Sequence, residues 1–302
     1  MADTELLKFD VVIVTRNRAD ALNMSIPLIL KQARQPERFI LVDSSDNHGP
    51  IKALVEDLTR GWAGKVIIEH IDRPSITRQR NVAMSYVTSD VVMFPDDDSL
   101  WFPGVAEAIM AAYEADKDGV VGAVGGRPVI QSPLGRDMLH YRKSARNFLK
   151  HTFQPVRNKI EEIFFPKPLN LYAFDCWKQH AQPDWLDPLR CVMVPNISGF
   201  RMSFRSELLR TFGFDEVIGA KVGYATHEDM EASVQVLKSG HLVVAANDAS
   251  IFHHKHPSPR APAYNYGFCW FLNYMYIVRK HMSSEPRIWK HTRRFLFYKL
   301  CL

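Results

Sequence analysis

The chain has 302 residues, of which 46% are apolar, and it carries a formal charge of +5. This length and composition allow a large core, so we expect one large domain, alone or with an appendage. The net charge is too small to indicate a nucleic-acid partner, and we expect none.

The first residues and the lengths of the apolar runs indicate whether the protein is secreted or inserted into a membrane. Residues 1–10 show no basic region followed by an apolar run, and no window holds about 18 uninterrupted apolar residues. We therefore expect neither a secretory signal nor a membrane-spanning helix. The four cysteines lack metal-type or redox spacing, which indicates scattered reduced thiols in a cytoplasmic protein.

The first 125 residues alternate apolar runs with helical patterns. The runs predict strands at residues 9–15, 39–42, 65–71, 91–94 and 120–124. The spacing between them predicts helices at residues 19–33, 51–62, 77–87 and 102–117. Strands separated by helices of this length indicate βαβ units. We predict an α/β fold with a Rossmann-like, mainly parallel sheet and helices on both faces.

The later part of the chain is less regular. Residues 131–195 are rich in Pro, Lys, Arg and aromatics, which predicts an irregular excursion with a helix near residues 137–150. Regular patterns then predict a strand at 199–204, a helix at 228–239 and short strands at 242–246 and 250–252. No Gly-rich dinucleotide fingerprint and no P-loop follows the first strand.

Residues 260–302 form a tail of distinct composition. They contain eight Lys or Arg residues, eleven aromatics and a single acid, Glu285. Tyr264, Phe268, Phe271 and Met275 fall at helical spacing, which predicts an aromatic and basic helical tail. Two interpretations stay open: a helix packed on the preceding domain, or an interfacial helix on an anionic membrane surface.

Three consecutive carboxylates follow the predicted strand at residues 91–94. Asp96, Asp97 and Asp98 repel one another and contribute nothing to folding as bare charges. Mg²⁺ and Mn²⁺ prefer carboxylate oxygens, and open α/β sheets bind ligands at the carboxyl ends of their strands. The cluster therefore indicates a metal-dependent enzyme acting on a phosphate-bearing substrate, although acids at a helix start are the simpler alternative.

Other polar residues follow neighbouring strands. Thr15 ends the first strand, Asp43 ends the second, and Arg80 begins a helix after the third. In a parallel sheet all of them gather at one edge, where they can hold a nucleotide beside a metal-bound diphosphate. Each residue alone is an ordinary turn former or surface charge.

Two further polar groups lie in the second half. Glu228 and Asp229 stand at a predicted helix start, where acids commonly stabilise the helix N-terminus. His253, His254 and His256 follow a predicted strand, and imidazole is a suitable ligand for Mn²⁺.

Taken in order, these residues resemble the inverting family 2 glycosyltransferases of the GT-A fold. The matching segments are 11–15, 41–46, 80–81, the D-x-D motif at 94–98, the strand at 199–205, the G-G-F-D-E-like stretch at 213–216, the E-D motif at 227–229 and the A-x-x-x-H stretch at 249–253. Each motif is weak alone, but their common order over residues 9–256 is specific.

The resemblance implies a nucleotide-diphospho-sugar donor, a Mn²⁺ or Mg²⁺ ion and inversion at the anomeric carbon. By position, Asp98 is the direct metal ligand and His253 the second, with His254 and His256 as rivals for that role. Asp229 is the expected catalytic base. Arg127 and Glu228 are candidates for contacts to the donor sugar or the acceptor. The donor nucleotide is expected to contact Thr15, Asp43, Arg80, Asp96 and Asp97.

The chain also departs from the family pattern. Phe212 replaces the first Gly of G-G-F-D-E, and Gln235 stands where the family often has an Arg. We expect a catalytic domain at 1–259, with a nucleotide-binding half at 1–125, an irregular acceptor region at 126–198 and a catalytic half at 199–259. The helical tail occupies 260–302.

The expected activity is a hexosyltransferase-type reaction. It moves a sugar, with UDP as the expected carrier, to a saccharide or lipid-linked saccharide in surface polysaccharide synthesis. We expect a cytoplasmic protein, peripheral at the inner face of the cell membrane. Two rivals stay open: a sugar nucleotidyltransferase, and an inactive sugar-binding or scaffold protein of the same fold. The loop after the first strand has no Gly, which disfavours the nucleotidyltransferase.

Overall fold

The computed structural model describes residues 6–135, 167–218, 225–256 and 262–300. The strands are β1 (Phe9–Thr15), β2 (Arg38–Asp43), β3 (Lys65–His70), β4 (Val91–Phe94), β5 (Ser99–Trp101), β6 (Val121–Val129), β7 (Cys191–Met193), β8 (Met202–Arg205) and β9 (Leu242–His253). The helices are α1 (Ala19–Leu30), α2 (His48–Leu58), α3 (Ile76–Met84), α4 (Val105–Ala115), α5 (Pro168–Trp177), α6 (Ser206–Phe212), α7 (Glu228–Lys238), α8 (Ala263–Met282) and α9 (Pro286–Leu300), with a 3₁₀ turn at Gly199–Arg201. The helix predicted near residues 137–150 lies outside the described residues.

One sheet organises the molecule. Its strand order is β3-β2-β1-β4-β8-β6-β9-β5, and β7 also pairs with β9. Strands β3, β2, β1 and β4 run parallel, and β6 runs parallel to β9. Strand β8 is antiparallel to both of its neighbours, and β5 and β7 are antiparallel to β9. The predicted α/β fold with a Rossmann-like parallel half is confirmed, and the second half of the sheet is mixed.

The sheet has a hydrophobic core on each face. Because successive side chains of a strand point to opposite faces, Val12 of β1 packs into one core while Val11 and Ile13 pack into the other. Helices α3, α5, α7, α8 and α9 cover the first core, and α1, α2 and α4 cover the second. The predicted placement of helices on both faces is confirmed.

A buried carboxylate fixes the start of β4. Asp10 of β1 is fully buried and accepts hydrogen bonds from the backbone amides of Thr88 and Ser89 and from the Ser89 hydroxyl. These bonds satisfy donors that would otherwise be costly to bury. They hold the turn before β4, so that this short strand delivers the acidic loop to the sheet edge.

Strands β5 and β9 differ from the prediction. The two short strands predicted at 242–246 and 250–252 form one strand, β9, which pairs with β6 through a register shift after Gly126. Strand β5 was not predicted, because three residues are too few to show a period. Its pairing places Ser99 opposite His253, which brings that histidine beside the acidic loop.

The tail belongs to the first core. Cys269, Ile277, Met282 and Phe295 of α8 and α9 are at most 3% exposed. The tail therefore packs on the rest of the molecule, which is one of the two interpretations left open. Among the described residues, no helix is both long and apolar enough to cross a bilayer.

Candidate active site

The acidic loop between β4 and β5 is the centre of the candidate site. Ser99 ties this loop down, since its hydroxyl accepts from the Asp96 amide and donates to the Phe200 carbonyl. Ligand atoms of Asp96, Asp98 and His253 all lie within 4.8 Å of one another. The structure thus brings together Asp98 and His253, which were expected to hold a metal, and adds Asp96, which was expected to contact the donor nucleotide.

Asp98 has the features of a metal ligand. Its Oδ1 lies 3.2 Å from His253 Nε2, is buried and has no aligned hydrogen-bond donor. Burial raises its pKa, but His253 and the backbone amide of His256 outweigh burial and lower the pKa to about 2. Asp98 is therefore ionised at neutral pH. An unsatisfied carboxylate oxygen beside a second carboxylate and an imidazole fits Mn²⁺ or Mg²⁺.

The two rival histidines take other positions. His254 donates its backbone amide to the Asp98 carbonyl. His256 donates its backbone amide to Asp98 Oδ2, and its ring Nε2 lies 2.7 Å from Asp20 Oδ2. These contacts orient the Asp98 side chain and backbone. His253 is the one of the three that joins the group of candidate metal ligands.

Asp97 faces the loop after β1. Its side chain accepts from the Thr15 hydroxyl at 2.7 Å and from Arg18 Nη1 at 2.9 Å. Burial raises the pKa of Asp97 to about 6, although Arg18 opposes this rise. Thr15 and Asp97 therefore meet as expected, and Arg18, which the sequence did not single out, is their cationic partner.

Asp43 lies at the same edge but in its own cluster. It pairs in register with Thr15, and its Oδ1 accepts from the amide and hydroxyl of Ser45. Its Oδ2 lies 2.8 Å from His48 Nδ1 and 3.8 Å from His70 Nδ1. The two imidazoles had no sequence signal, because only folding brings the ends of β2 and β3 and the start of α2 together. Ligand atoms of Asp43, His48 and His70 all lie within 4.8 Å of one another, with Asp43 buried and the two histidines half-buried.

Arg80 was expected to contact the donor nucleotide, but its side chain is buried between two carboxylates. It is 1% exposed, and its guanidinium lies 3.3 Å from Asp96 and 3.2 Å from Glu228. The same group stacks over the Phe214 ring. Arg80 therefore links the acidic loop to the start of α7. A nucleoside could reach the guanidinium only by displacing one of these partners.

The start of α7 presents Glu228 and Asp229 to the same region. Asp229 Oδ2 accepts from the Gly199 amide at 2.8 Å, and Oδ1 accepts from the Met230 amide at 2.7 Å. A side chain at Gly199 would lie 3.4 Å from both Arg80 and Glu228, so glycine permits this close approach. Burial and then the charge of Asp229 raise the pKa of Glu228 to about 7.

The floor between these groups comes from β6 and the 3₁₀ turn. Arg127 lies on β6 and donates to the Ser250 hydroxyl. Arg201 donates to the Gly126 carbonyl and stacks over Phe200, while its Nε is buried without a partner. Phe200 in turn stacks on His253 at 4.5 Å. Arg201 belongs to the matching segment 199–205, but no sequence pattern assigned it a role, because its partner Gly126 comes from a distant segment.

Fold and site together define a class of protein. A Rossmann-like half followed by a mixed half is the GT-A fold, which the chain shares with its structural neighbours. The chain belongs to glycosyl transferase family 2, since that family's profile matches residues 10–177, more than half of its length.

Individual relatives are distant. The chain is 29% identical over 110 residues to the uncharacterized glycosyltransferase YwdF of Bacillus subtilis, covering 36% of this chain and 39% of that protein. It superposes on the mannosyltransferase PcManGT of Pyrobaculum calidifontis, solved with GDP-Man and Mn²⁺, with a TM-score of 0.53 and 19% identity, over 84% of this chain and 59% of that one.

A second structural neighbour is S. aureus TarS. Its residues 1–349, solved with UDP, superpose with a TM-score of 0.54 and 14% identity, over 96% of this chain and 71% of that one. At such identities the superpositions establish the fold alone. The chain spans well under two thirds of the length of YwdF and of PcManGT.

Proposed function

We propose that this protein transfers a sugar from a nucleotide-diphospho-sugar to a saccharide or lipid-linked saccharide acceptor, with inversion and with Mn²⁺ or Mg²⁺. The observation that carries the proposal is the cluster of Asp96, Asp98 and His253, which Arg80 joins to the helix bearing Asp229. These contacts support a proposal in which the donor-side and acceptor-side groups lie at one edge of the sheet.

Asp96, Asp98 and His253 would hold the cation. Such an ion neutralises the charge that develops on a leaving diphosphate without needing a proton. The nucleoside side of the donor is assigned to the ends of β1 and β2, where Thr15, Asp43 and Asp97 lie. A base or ribose donor would reach the Asp43 carboxylate by displacing His48, which now contacts its Oδ2.

Asp229 is proposed as the catalytic base. The acceptor hydroxyl must lose its proton as it attacks the anomeric carbon, and a positioned carboxylate can take that proton. Two backbone amides, of Gly199 and Met230, hold the Asp229 carboxylate in one orientation. One base is enough for a single displacement, which inverts the anomeric carbon, whereas retention through a covalent intermediate requires a nucleophile on the other face.

Arg127, Arg201 and Glu228 surround the space between donor and acceptor. We assign them to contacts with the donor sugar or the acceptor, because each is polar and lies next to Asp229 or β6. UDP is the expected carrier. TarS was solved with UDP and PcManGT with GDP-Man, so a diphosphate-linked donor has more support than any particular base.

A nucleotidyltransferase has less support. The loop after β1, residues 15–18, has no Gly to cradle a triphosphate, and the family match is to glycosyl transfer. An inactive scaffold protein has no need of the buried, unsatisfied Asp98 oxygen or of the oriented Asp229 carboxylate. A role in surface polysaccharide synthesis, in a cytoplasmic protein peripheral to the membrane, completes the proposal.

The test begins by finding the donor. A thermal-shift screen of UDP-, GDP- and other nucleotide-sugars, with and without Mn²⁺, identifies the ligand that stabilises the folded state. Release of the nucleotide from that donor is then measured for wild type and for Asp229→Asn. We expect the variant to keep donor binding and to lose about 100- to 10,000-fold in turnover, because the base is removed and the shape is kept.

The matched control is Asp187→Asn, which makes the same change at an exposed turn. It should leave turnover unchanged. Undiminished turnover in Asp229→Asn would remove Asp229 from the role of base. Absence of any stabilising nucleotide-sugar across the screen would contradict the proposed function as a whole.

A further inference from the structure

Helix α9 presents an exposed basic face. Arg287, Lys290, Arg293 and Arg294 are exposed and follow one another at helical spacing, and Phe297, 70% exposed, continues the same row. We call these five residues the basic face. Their spacing places four cations and one aromatic ring on a single side of the helix.

The opposite side of α9 fixes this orientation. Ile288, Phe295 and Leu296 are at most 6% exposed and pack into the first core. Rotating the helix would expose those apolar side chains at about 1.5–3 kcal/mol each. The basic face is therefore held outward by packing.

The charge of this face is almost uncompensated. Helix α9 contains no Asp or Glu, and among the residues that the structure describes the one acid paired with the face is Asp175, 3.6 Å from Arg287. Within the described part of the chain, no carboxylate pairs with Lys290, Arg293 or Arg294. Such crowding of like charge reduces stability unless an external anion neutralises it.

A cleft opens at this face. It measures about 610 Å³ and is lined by Ser283, Pro286, Trp289, Lys290, Arg293 and Arg294. An indole beside three cations is the combination found where a polar headgroup meets apolar chains, because the ring is apolar and its N–H is polar. The cleft has room for a phosphate-bearing headgroup.

Exposed aromatic side chains lie at the far end of the same helical hairpin. Trp270 and Tyr274 of α8 contact Phe295 of α9, so the two helices run antiparallel and the start of α8 neighbours the end of α9. Tyr264 and Phe268 at that start are 81% and 46% exposed. Tyr264 and Phe268 thus add exposed apolar surface at the end of the hairpin where Phe297 of α9 is also exposed.

We propose that the basic face and its cleft bind the anionic headgroups of a phospholipid bilayer, with the exposed aromatics entering the headgroup zone. Cations next to exposed aromatic rings on an amphipathic helix match an anionic bilayer in both charge and polarity. This surface deepens the proposed function, because a lipid-linked acceptor would be met there. Its test needs no catalysis, so its failure would leave glycosyl transfer untouched.

The experiment is vesicle flotation of the full chain. Vesicles of phosphatidylcholine alone are compared with vesicles that also contain phosphatidylglycerol, at low and high salt. We expect binding to the mixed vesicles at low salt, and weaker binding at high salt because exposed charges are screened. Lys290→Gln/Arg293→Gln/Arg294→Gln should lower the partition coefficient by on the order of 100-fold, since each surface cation contributes roughly fivefold.

The matched control removes the same charge elsewhere. Lys31→Gln/Lys65→Gln/Lys117→Gln changes three exposed lysines outside the tail and should bind like wild type. Phe297→Ser should weaken binding while leaving its salt dependence intact. Equal loss in both triple variants, or equal binding to neutral vesicles, would overturn the proposal. So would complete release by inorganic phosphate at the lipid phosphate concentration, since that would indicate a site for free phosphate.

Discussion

At the scale of single residues, Arg80 connects the acidic loop after β4 to the start of α7. Its buried guanidinium contacts Asp96 on one side and Glu228 on the other. Removing one partner from a buried ion pair leaves an uncompensated charge, which is costly. Arg80 therefore acts mainly by holding the two halves of the site in place.

Glu228 gives a pH dependence with a definite sign. Its pKa is raised from 4.5 to about 7 in the folded protein. The folded state thus retains a proton that the unfolded chain releases, so this contribution to stability is full below pH 4.5 and is lost as pH rises through 7. The loss amounts to about 3 kcal/mol on this shift.

We therefore predict that Glu228→Gln flattens the dependence of stability on pH. Glutamine keeps the hydrogen bond to Arg80 and cannot ionise. In metal-free buffer, urea unfolding should show equal stability of variant and wild type near pH 4 and a more stable variant near pH 8. A variant that loses stability in parallel with wild type would show that Glu228 is not the titrating group.

Several site residues could be predicted from the sequence and others could not. Asp96, Asp98 and His253 stand in motifs at strand ends, and the parallel half of the sheet brings strand ends together. Arg18 and Arg201 matter through contacts with residues 79 and 75 positions away in the chain. Contacts between residues so far apart in the chain produce no local sequence pattern, so only the folded structure reveals them.

At the scale of elements, the strongest patterns gave the most accurate bounds. Strand β4 was predicted at residues 91–94 and is found there, because a buried apolar run stops abruptly at the acids. Strand β5, with three residues, is defined by its pairing with β9 and not by its own sequence. Helix α5 and strand β7 occur in the segment predicted as irregular.

Helices α7 and α8 are joined by a buried charge cluster. Glu231 of α7 is fully buried, and its Oε1 lies 2.8 Å from both Lys280 and His281 of α8. Lys280 also pairs with Asp215. The tail is thereby attached to the helix that begins with the proposed base.

Glu231→Ala is predicted to destabilise the protein by about 3–5 kcal/mol. The change removes the buried carboxylate that contacts His281 and Lys280, and it leaves a cavity in which His281 has lost this partner while Lys280 keeps Asp215. The matched control is Glu56→Ala, whose pair with Lys52 is more than half exposed and should contribute less than about 1 kcal/mol. Urea unfolding measures both, and equal losses would show that the Glu231 cluster contributes no more than a surface pair.

At the scale of the whole molecule, the tail is part of the folded unit. Its buried side chains lie in the same core as α3, α5 and α7. The sequence prediction treated residues 260–302 as a separate tail because their composition differs from the rest of the chain. Composition does not show which side of a helix packs against other elements. The structure bears out the packed interpretation for one side of the tail, and the membrane interpretation of its exposed side stays a proposal.

Deletion of the tail is therefore predicted to destabilise the rest of the protein. A chain ending at Pro259 would expose the surface that Ile277, Val278 and Met282 now cover, each at most 2% exposed. We expect aggregation, or a loss of cooperative thermal unfolding, relative to full-length protein. A truncated protein that melts cooperatively at the wild-type temperature would show that the tail is an independent appendage.

The central claim is that Asp98 and its neighbours hold a cation that in turn holds the donor's diphosphate. Isothermal titration of UDP, in Mn²⁺ and in EDTA, tests it most directly on wild type, Asp98→Ala and the exposed control Asp118→Ala. We predict that Mn²⁺ strengthens UDP binding to wild type and to Asp118→Ala by about tenfold or more, and that Asp98→Ala loses this gain. The same Mn²⁺-dependent gain in Asp98→Ala would contradict the account.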